Sequence, residues 1–319
     1  MNRICVIGVY FGKLPQYFPL WLKSCEHNSS IDFLVFTDQL LNNLPENVRV
    51  YPMNLLEMKQ RAETVLGFSV RLEKPYKCCD YKVIYGLIFR DYVSDYQYWG
   101  HCDFDLMFGD LQSFFDAYDL SAYDRFLPLG HLSLYKNSED VNYRFQSKGS
   151  IADYRVVYTS DDGFAFDEMP GLTKIYLENA LPMFTQRIFA DLASVYHRYR
   201  VIEEYTLDAK AKNYPHQLFF WENGKTFRAY YQDGEVHQEE YIYIHFKKRP
   251  DFPVNFDIQN KNAFYITNQG FFPKMGDVTL HDMKKYNPYP GWHYEIWERM
   301  LYMVKSYWNR AVRRIRRAF

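Results

Sequence analysis

The sequence predicts an α/β fold with a Rossmann-like, mostly parallel central sheet, helices on both faces, an antiparallel second half and a C-terminal amphipathic helix. Three observations carry this. The first hundred residues alternate short β-branched runs with helix-spaced ones, the order that builds a parallel sheet. Residues 218–250 instead carry Asn-Gly and Asp-Gly turns between aromatic and β-branched runs, the mark of antiparallel hairpins. From residue 291 apolar residues recur at helical spacing beside arginines.

Taken in order, "RICVIGVYFG" is a β-branched run ending at Gly12, and "LPQYFPLWLKSCEHN" places Phe18, Leu22 and Cys25 near helical spacing. "IDFLVFTD" is a nearly continuous apolar run, as expected of a strand covered on both faces. "NVRVYPM" is a shorter strand, and "NLLEMKQRAETVLG" has an Asn cap, a helical stripe and a terminal Gly. Pro75 opens a helix expected to run to about residue 95, with Lys77, Asp80 and Lys82 near its start. Those charges are either a solvated face with charge pairs or a cationic rim aimed at phosphate. "YWGHCDFDLMFGDL" is a buried strand and turn, "YDRFLPLGHLSLYKN" a strand and turn into a second short strand, "FAFDEMPGLTKIYLEN" a loop feeding a helix, and "MFTQRIFADL" a strand. One main domain, 1–275, followed by a basic helical tail, 276–319, is the expected organisation.

At 319 residues and 48% hydrophobic composition the chain can bury a large core, and a formal net charge of −1 excludes the global basic field of a nucleic-acid binder. An aromatic content of 19% suits a thick core as well as a cleft that stacks rings on sugars. Five cysteines without repeated spacing predict reduced thiols in a cytoplasmic protein. No run of 18 apolar residues occurs, so no spanning helix is expected.

In doubly wound sheets ligands bind beyond the carboxyl ends of the strands. Val9 and Tyr10, Thr37 and Asp38, and Asp103 and Asp105 all fall at such ends. Buried carboxylates need compensation by a metal, a basic side chain or water. One or two carboxylates plus phosphate oxygens are the usual ligands of Mg²⁺ or Mn²⁺. Downstream, "YIYIHFKKRP" sets His245 at a strand end before Lys247 and Lys248, and Asp167–Glu168 either caps a helix or faces a pocket.

The stretches Glu73–Lys77, Cys79–Lys82, Gly86, Ile88–Phe89 and Trp99–Leu111 resemble bacterial polysaccharide-biosynthesis glycosyltransferases of the GT-A fold. The region also resembles the D-x-D segment of glycogenin-like retaining glycosyltransferases. That resemblance implies a UDP-sugar donor and Mn²⁺ or Mg²⁺ held by Asp103, Asp105 and His245. It implies further donor contacts from Val9, Tyr10, Phe11, Thr37, Asp38, Lys77, Asp80, Lys82 and Lys247 or Lys248, with Asp167 and Glu168 in catalysis. A retaining outcome is favoured by the same likeness, with a lipid-linked or growing surface glycan as acceptor. The alternatives are a metal-dependent nucleotidyltransferase or phosphohydrolase, and a non-catalytic carbohydrate-binding protein.

In the tail Ile296, Met300, Leu301, Val304, Trp308, Val312 and Ile315 form a stripe, and every charge after Glu298 is positive. That composition predicts an interfacial helix on an anionic membrane surface, on the cytoplasmic face.

Overall fold

The computed structural model describes residues 3–193, 198–203, 207, 210–247, 252–301 and 303–304. Compactness divides the chain into two units, Met1–Arg187 and Ile188–Phe319.

In the first unit β1 (Ile4–Tyr10), α1 (Phe18–Glu26), β2 (Ile31–Thr37), β3 (Val48–Pro52) and α2 (Leu55–Leu66) follow in the expected alternation. Helix α2 starts and stops where its caps dictate. The Asn54 side chain accepts from the Glu57 N–H, the Glu57 carboxylate accepts from the Asn54 N–H, and Gly67 closes the helix at φ 74°.

The stretch after Pro75 is not one helix. It breaks into a 3₁₀ turn (Pro75–Lys77), α3 (Cys78–Tyr81), a second 3₁₀ turn (Lys82–Ile84), α4 (Tyr85–Ile88) and α5 (Arg90–Val93). The stretch is apolar nearly all round, and Tyr81, Val83, Ile84, Tyr85, Leu87, Ile88 and Phe89 are all buried. A straight helix shows only one face to a sheet, so burying all of these takes a chain that bends along the sheet surface. Gly86 permits the approach, since a Cβ there would lie 2.3 Å from the Trp99 ring.

The unit continues with β4 (Tyr98–Cys102), β5 (Leu106–Phe108), α6 (Leu111–Ala117), β6 (Arg125–Phe126), β7 (Leu132–Lys136), α7 (Glu139–Tyr143), α8 (Tyr154–Thr159), α9 (Leu172–Glu178) and β8 (Met183–Phe184). The seven-stranded sheet has the order β3-β2-β1-β4-β7-β6-β8. Strand β7 is antiparallel to both its neighbours, and every other pairing is parallel. Alternate residues serve opposite faces. Cys5, Ile7, Leu34 and Phe36 join Met58 and Ala62 of α2 and Ile84 and Phe89 in one core, whereas Phe33 meets Trp21 of α1 on the other. This is the mixed α/β architecture, with a mostly parallel sheet and helices on both faces, that the sequence predicts.

The second unit holds β9 (Ala190–Asp191), β10 (Gln217–Glu222), β11 (Lys225–Gln232), β12 (Glu235–Tyr241), β13 (Tyr243–His245), β14 (Ala263–Thr267), β15 (Gly270–Pro273) and α10 (Leu280–Tyr286). Its antiparallel sheet runs β12-β11-β10-β14-β15. The first two turns are the predicted ones, with Asn223–Gly224 at φ 49° and 83° and Asp233–Gly234 at φ 54° and 90°, the left-handed pairs that match strand twist. Met283 of α10 packs on Leu218, Phe220, Ala229 and Tyr265. The single strand expected over residues 183–192 is two, β8 and β9, interrupted at the polar run Thr185–Gln186–Arg187.

Residues 292–301 are helical, and no described helix is long and apolar enough to cross a membrane. Trp308, Val312, Ile315 and the cations from Lys305 onward lie outside the described residues.

Candidate active site

The chain builds β1, β2 and β3 outward on one side, then places β4 on the other side of β1. The carboxyl ends of β1 and β4 therefore flank a topological switch point, the place where open α/β sheets take ligands. Asp103–Phe104–Asp105 leaves β4 there. Phe104 is the anchor of the turn: it is buried, meets Tyr10 edge-on with ring centroids 5.5 Å apart, and packs on Phe18 and Trp21. Gly8 makes room for it, since a Cβ there would lie 2.6 Å from the Phe104 ring. With Phe104 turned inward, Asp103 and Asp105 both keep partial exposure. The Asp103 N–H donates to the His131 carbonyl at 2.8 Å, fixing the backbone from which the first carboxylate springs.

Lys82 sits beneath that carboxylate. Its ammonium lies 2.7 Å from Asp103 Oδ1, 3.1 Å from Asp167 Oδ2 and 2.9 Å from the Gly130 carbonyl. Three N–H donors thus meet three acceptors. Burial alone would lower the Lys82 ammonium, but Asp103 and then Asp167 outweigh it and hold it well above the ordinary lysine range. Asp167 is buried and its own carbonyl accepts from Arg125. The helix after it is capped at Gly171, so Asp167 is not the helix cap its position allowed. Gly130 lies against both acids: a Cβ there would fall 2.1 Å from Asp167 Oδ2 and 3.3 Å from Glu168 Cγ. Asp103, Lys82, Asp167 and Glu168 therefore form one neighbourhood.

The other expected contacts divide. Tyr10 and Phe11 stand at the end of β1, and the exposed Asp38 carboxylate accepts from the Gly12 N–H at 2.9 Å, tying the ends of β1 and β2. Thr37 is buried in β2, where its hydroxyl accepts from the Gln39 N–H, and Val9 is half-buried one residue before Tyr10. Lys77 and Asp80 are neither a solvated face nor a phosphate rim. Both are buried, with Lys77 Nζ 2.8 Å from Asp80 Oδ2 and 2.8 Å from the Val157 carbonyl, and a further bond to the Asp162 carbonyl. The Asp80 carboxylate accepts from the Phe164 and Phe166 N–H groups. The pair is a buried strut that holds the loop leading to Asp167.

In the second unit His245 of β13 stands opposite Asp191 of β9. Its Nδ1 is 2.8 Å from Asp191 Oδ1, and a facing carboxylate selects the tautomer in which Nδ1 donates and Nε2 carries the lone pair, the usual preparation of a metal-ligating histidine. Lys247 Nζ lies 3.4 Å from the same Asp191 oxygen, and Lys248 lies outside the described residues.

Sequence reasoning missed Gly8, Gly130 and Asp191. The signal for Asp191 was present, a lone carboxylate closing the apolar run "RIFADL". Asp103 and Asp105 present the hard oxygen donors that Mg²⁺ or Mn²⁺ takes, at a partly exposed strand end, so this donor set fits such an ion. The five cysteines are all unpaired thiols, and burial pushes Cys79, near Asp103, up to about 12.

A search of the curated proteins found no match. Among solved structures, the galactosyltransferase LgtC in complex with donor and acceptor sugar analogues superposes on 59% of this chain and 75% of its own, at 11% identity and a TM-score of 0.33. A superposition that loose carries no inference about activity. The sequence profile of DUF6625, a family of unknown function, matches residues 6–275, and the chain belongs to that family.

Proposed function

We propose that the protein is a metal-dependent glycosyltransferase, moving a sugar from a nucleotide sugar, in first place a UDP-sugar, to a lipid-linked or growing glycan. The observation that carries this reading is the Asp103–Phe104–Asp105 turn at the switch point, backed by Lys82 and Asp167. Asp103 and Asp105 would hold Mn²⁺ or Mg²⁺, and His245, which its sequence context nominates and Asp191 prepares, is the third ligand we assign. Such an ion supplies Lewis-acid stabilisation of the negative charge that grows on a departing diphosphate.

The chain's own groups do the rest. Phe104, locked over Gly8, fixes the angle at which the two carboxylates leave the strand. Lys82 holds Asp103 and Asp167 in register and lowers the cost of crowding carboxylates together. Glu168, more exposed than Asp167, is the better placed of the two to meet an acceptor hydroxyl, while Asp167 is committed to Lys82. Tyr10, Phe11 and Asp38, at the ends of β1 and β2, are the donor contacts retained in this reading.

The acceptor side rests on the C-terminal helix. Trp292, Tyr294, Ile296, Trp297, Met300, Leu301, Met303 and Val304 are all exposed, and Arg299, Lys305, Arg310, Arg313, Arg314, Arg316 and Arg317 follow with no acid among them. Aromatic and aliphatic groups beside cations suit an anionic lipid surface on which a lipid-linked acceptor would be presented.

The deciding experiment is a thermal-shift panel of UDP, UDP-sugars and other nucleotide sugars with and without Mn²⁺. Stabilisation by a nucleotide sugar that requires Mn²⁺ is expected, because a ligand of the native state raises the unfolding temperature. No metal-dependent shift with any donor would sink the proposal.

A further inference from the structure

We propose that Lys82 is a built-in cation that restricts the Asp103 centre to a single divalent ion, an inference that rests on the metal reading above. Centres with two ions place them about 3.5–4 Å apart and share a carboxylate between them. Asp103 is the carboxylate that would be shared, and Asp167 the one that would close the second position. The ammonium of Lys82 lies between them, 2.7 Å from Asp103 Oδ1 and 3.1 Å from Asp167 Oδ2, with the Gly130 carbonyl completing its shell at 2.9 Å.

An ammonium and a divalent ion cannot share that place. The Lys82 side chain is only 7% exposed, and Lys77, Asp80 and the loop through Phe166 are packed and bonded around the same segment. The lysine therefore has no room to swing aside. Asp103 and Asp105 are both partly exposed, so a divalent ion would reach them from solvent.

The consequence concerns the substrate class. In-line phosphoryl and nucleotidyl transfer commonly uses two ions to clamp the attacking and the leaving oxygen. With the second position filled by a lysine, the site suits a reaction in which one ion stabilises a departing diphosphate while the bond broken is at carbon. Lys82 thus selects between glycosyl transfer and the two-ion phosphoryl chemistry that the same acidic residues could otherwise support.

The test uses Mn²⁺ alone as the probe, counted by electron paramagnetic resonance titration of the full chain. The parent is expected to bind one ion. Lys82→Ala, which removes the ammonium and leaves a space between two carboxylates, is expected to bind two, and Lys82→Ala with Asp167→Asn to return to one. If Lys82→Ala needs metal to fold, its near-ultraviolet circular dichroism titrated with Mn²⁺ gives the same count. Two ions on the parent, or a folded Lys82→Ala that still takes one, overturns the inference and leaves the glycosyltransferase proposal standing. A parent that takes none overturns the metal reading itself.

Discussion

Gly130→Ala is the smallest change that should disturb the site, and its size can be worked from the contacts. Gly130 does not sit in the left-handed region, so alanine adds no backbone strain and the effect is that of one methyl group. That methyl would lie 2.1 Å from Asp167 Oδ2 and 2.7 Å from its Cγ. The carboxylate must retreat by roughly 1.4 Å to reach ordinary contact at about 3.5 Å. The Lys82–Asp167 separation then grows from 3.1 Å to about 4 Å, beyond hydrogen-bonding range. A buried charge-assisted hydrogen bond contributes about 1.5–3 kcal/mol, and breaking a buried ion pair outright costs about 3–5 kcal/mol. Asp103 remains beside Lys82, so a loss of about 2–3 kcal/mol is expected, read as a lower urea midpoint. The pH of the assay is not critical. The folded-state value of Lys82 is raised, so its contribution is complete below the ordinary lysine pKa and is lost only as pH climbs past the raised value. Asp167→Ala removes the group that the methyl strikes, so in that background Gly130→Ala should cost under about 0.5 kcal/mol. An equal loss in both backgrounds would refute the reasoning.

Three further outcomes are expected. Lys77→Met leaves Asp80 buried without its cation and should cost about 3–5 kcal/mol in urea unfolding, with UDP affinity unchanged; lost affinity at unchanged stability would restore Lys77 as a phosphate contact. Asp105→Asn and Asp103→Asn should each remove Mn²⁺-dependent stabilisation by UDP, and Asp103→Asn should also lower stability by about 2 kcal/mol, because Lys82 loses a charged partner; an Asp103→Asn variant as stable as the parent counts against Lys82 as the partner of Asp103. Deleting residues 291–319 should release the protein from anionic vesicles, since each of the seven cations after Glu298 contributes about 1 kcal/mol near such a surface, and retention on vesicles after the deletion, or indifference to salt, rules out the electrostatic anchor.

The fold was legible where a local pattern has one structural meaning. A continuous apolar run such as Ile31–Thr37 can only be covered on both sides, and Asn223–Gly224 and Asp233–Gly234 are turns because few other residues take left-handed backbone in succession. Helix α2 announced both its ends by its caps. The segment after Pro75 was misread as one helix because its apolar residues fit helical spacing as well as any other, and only the sheet it lies on decides how such a run bends.

Charges were the least legible part. Lys77, Asp80 and Lys82 carry the same spacing on a solvated helix as in a core, and spacing says nothing of burial. The available signal was their company: Cys78, Tyr81, Val83 and Ile84 are apolar and buried on every side of them, and charges embedded in such a run have to find one another. That is what the three residues do, Lys77 with Asp80 as a strut and Lys82 with Asp103 and Asp167 at the site. The compensation that the Asp103 carboxylate demands is therefore supplied by the chain itself. Asp105, beside it and partly exposed at the switch point where open α/β sheets take ligands, is the carboxylate we assign chiefly to a cation from solution.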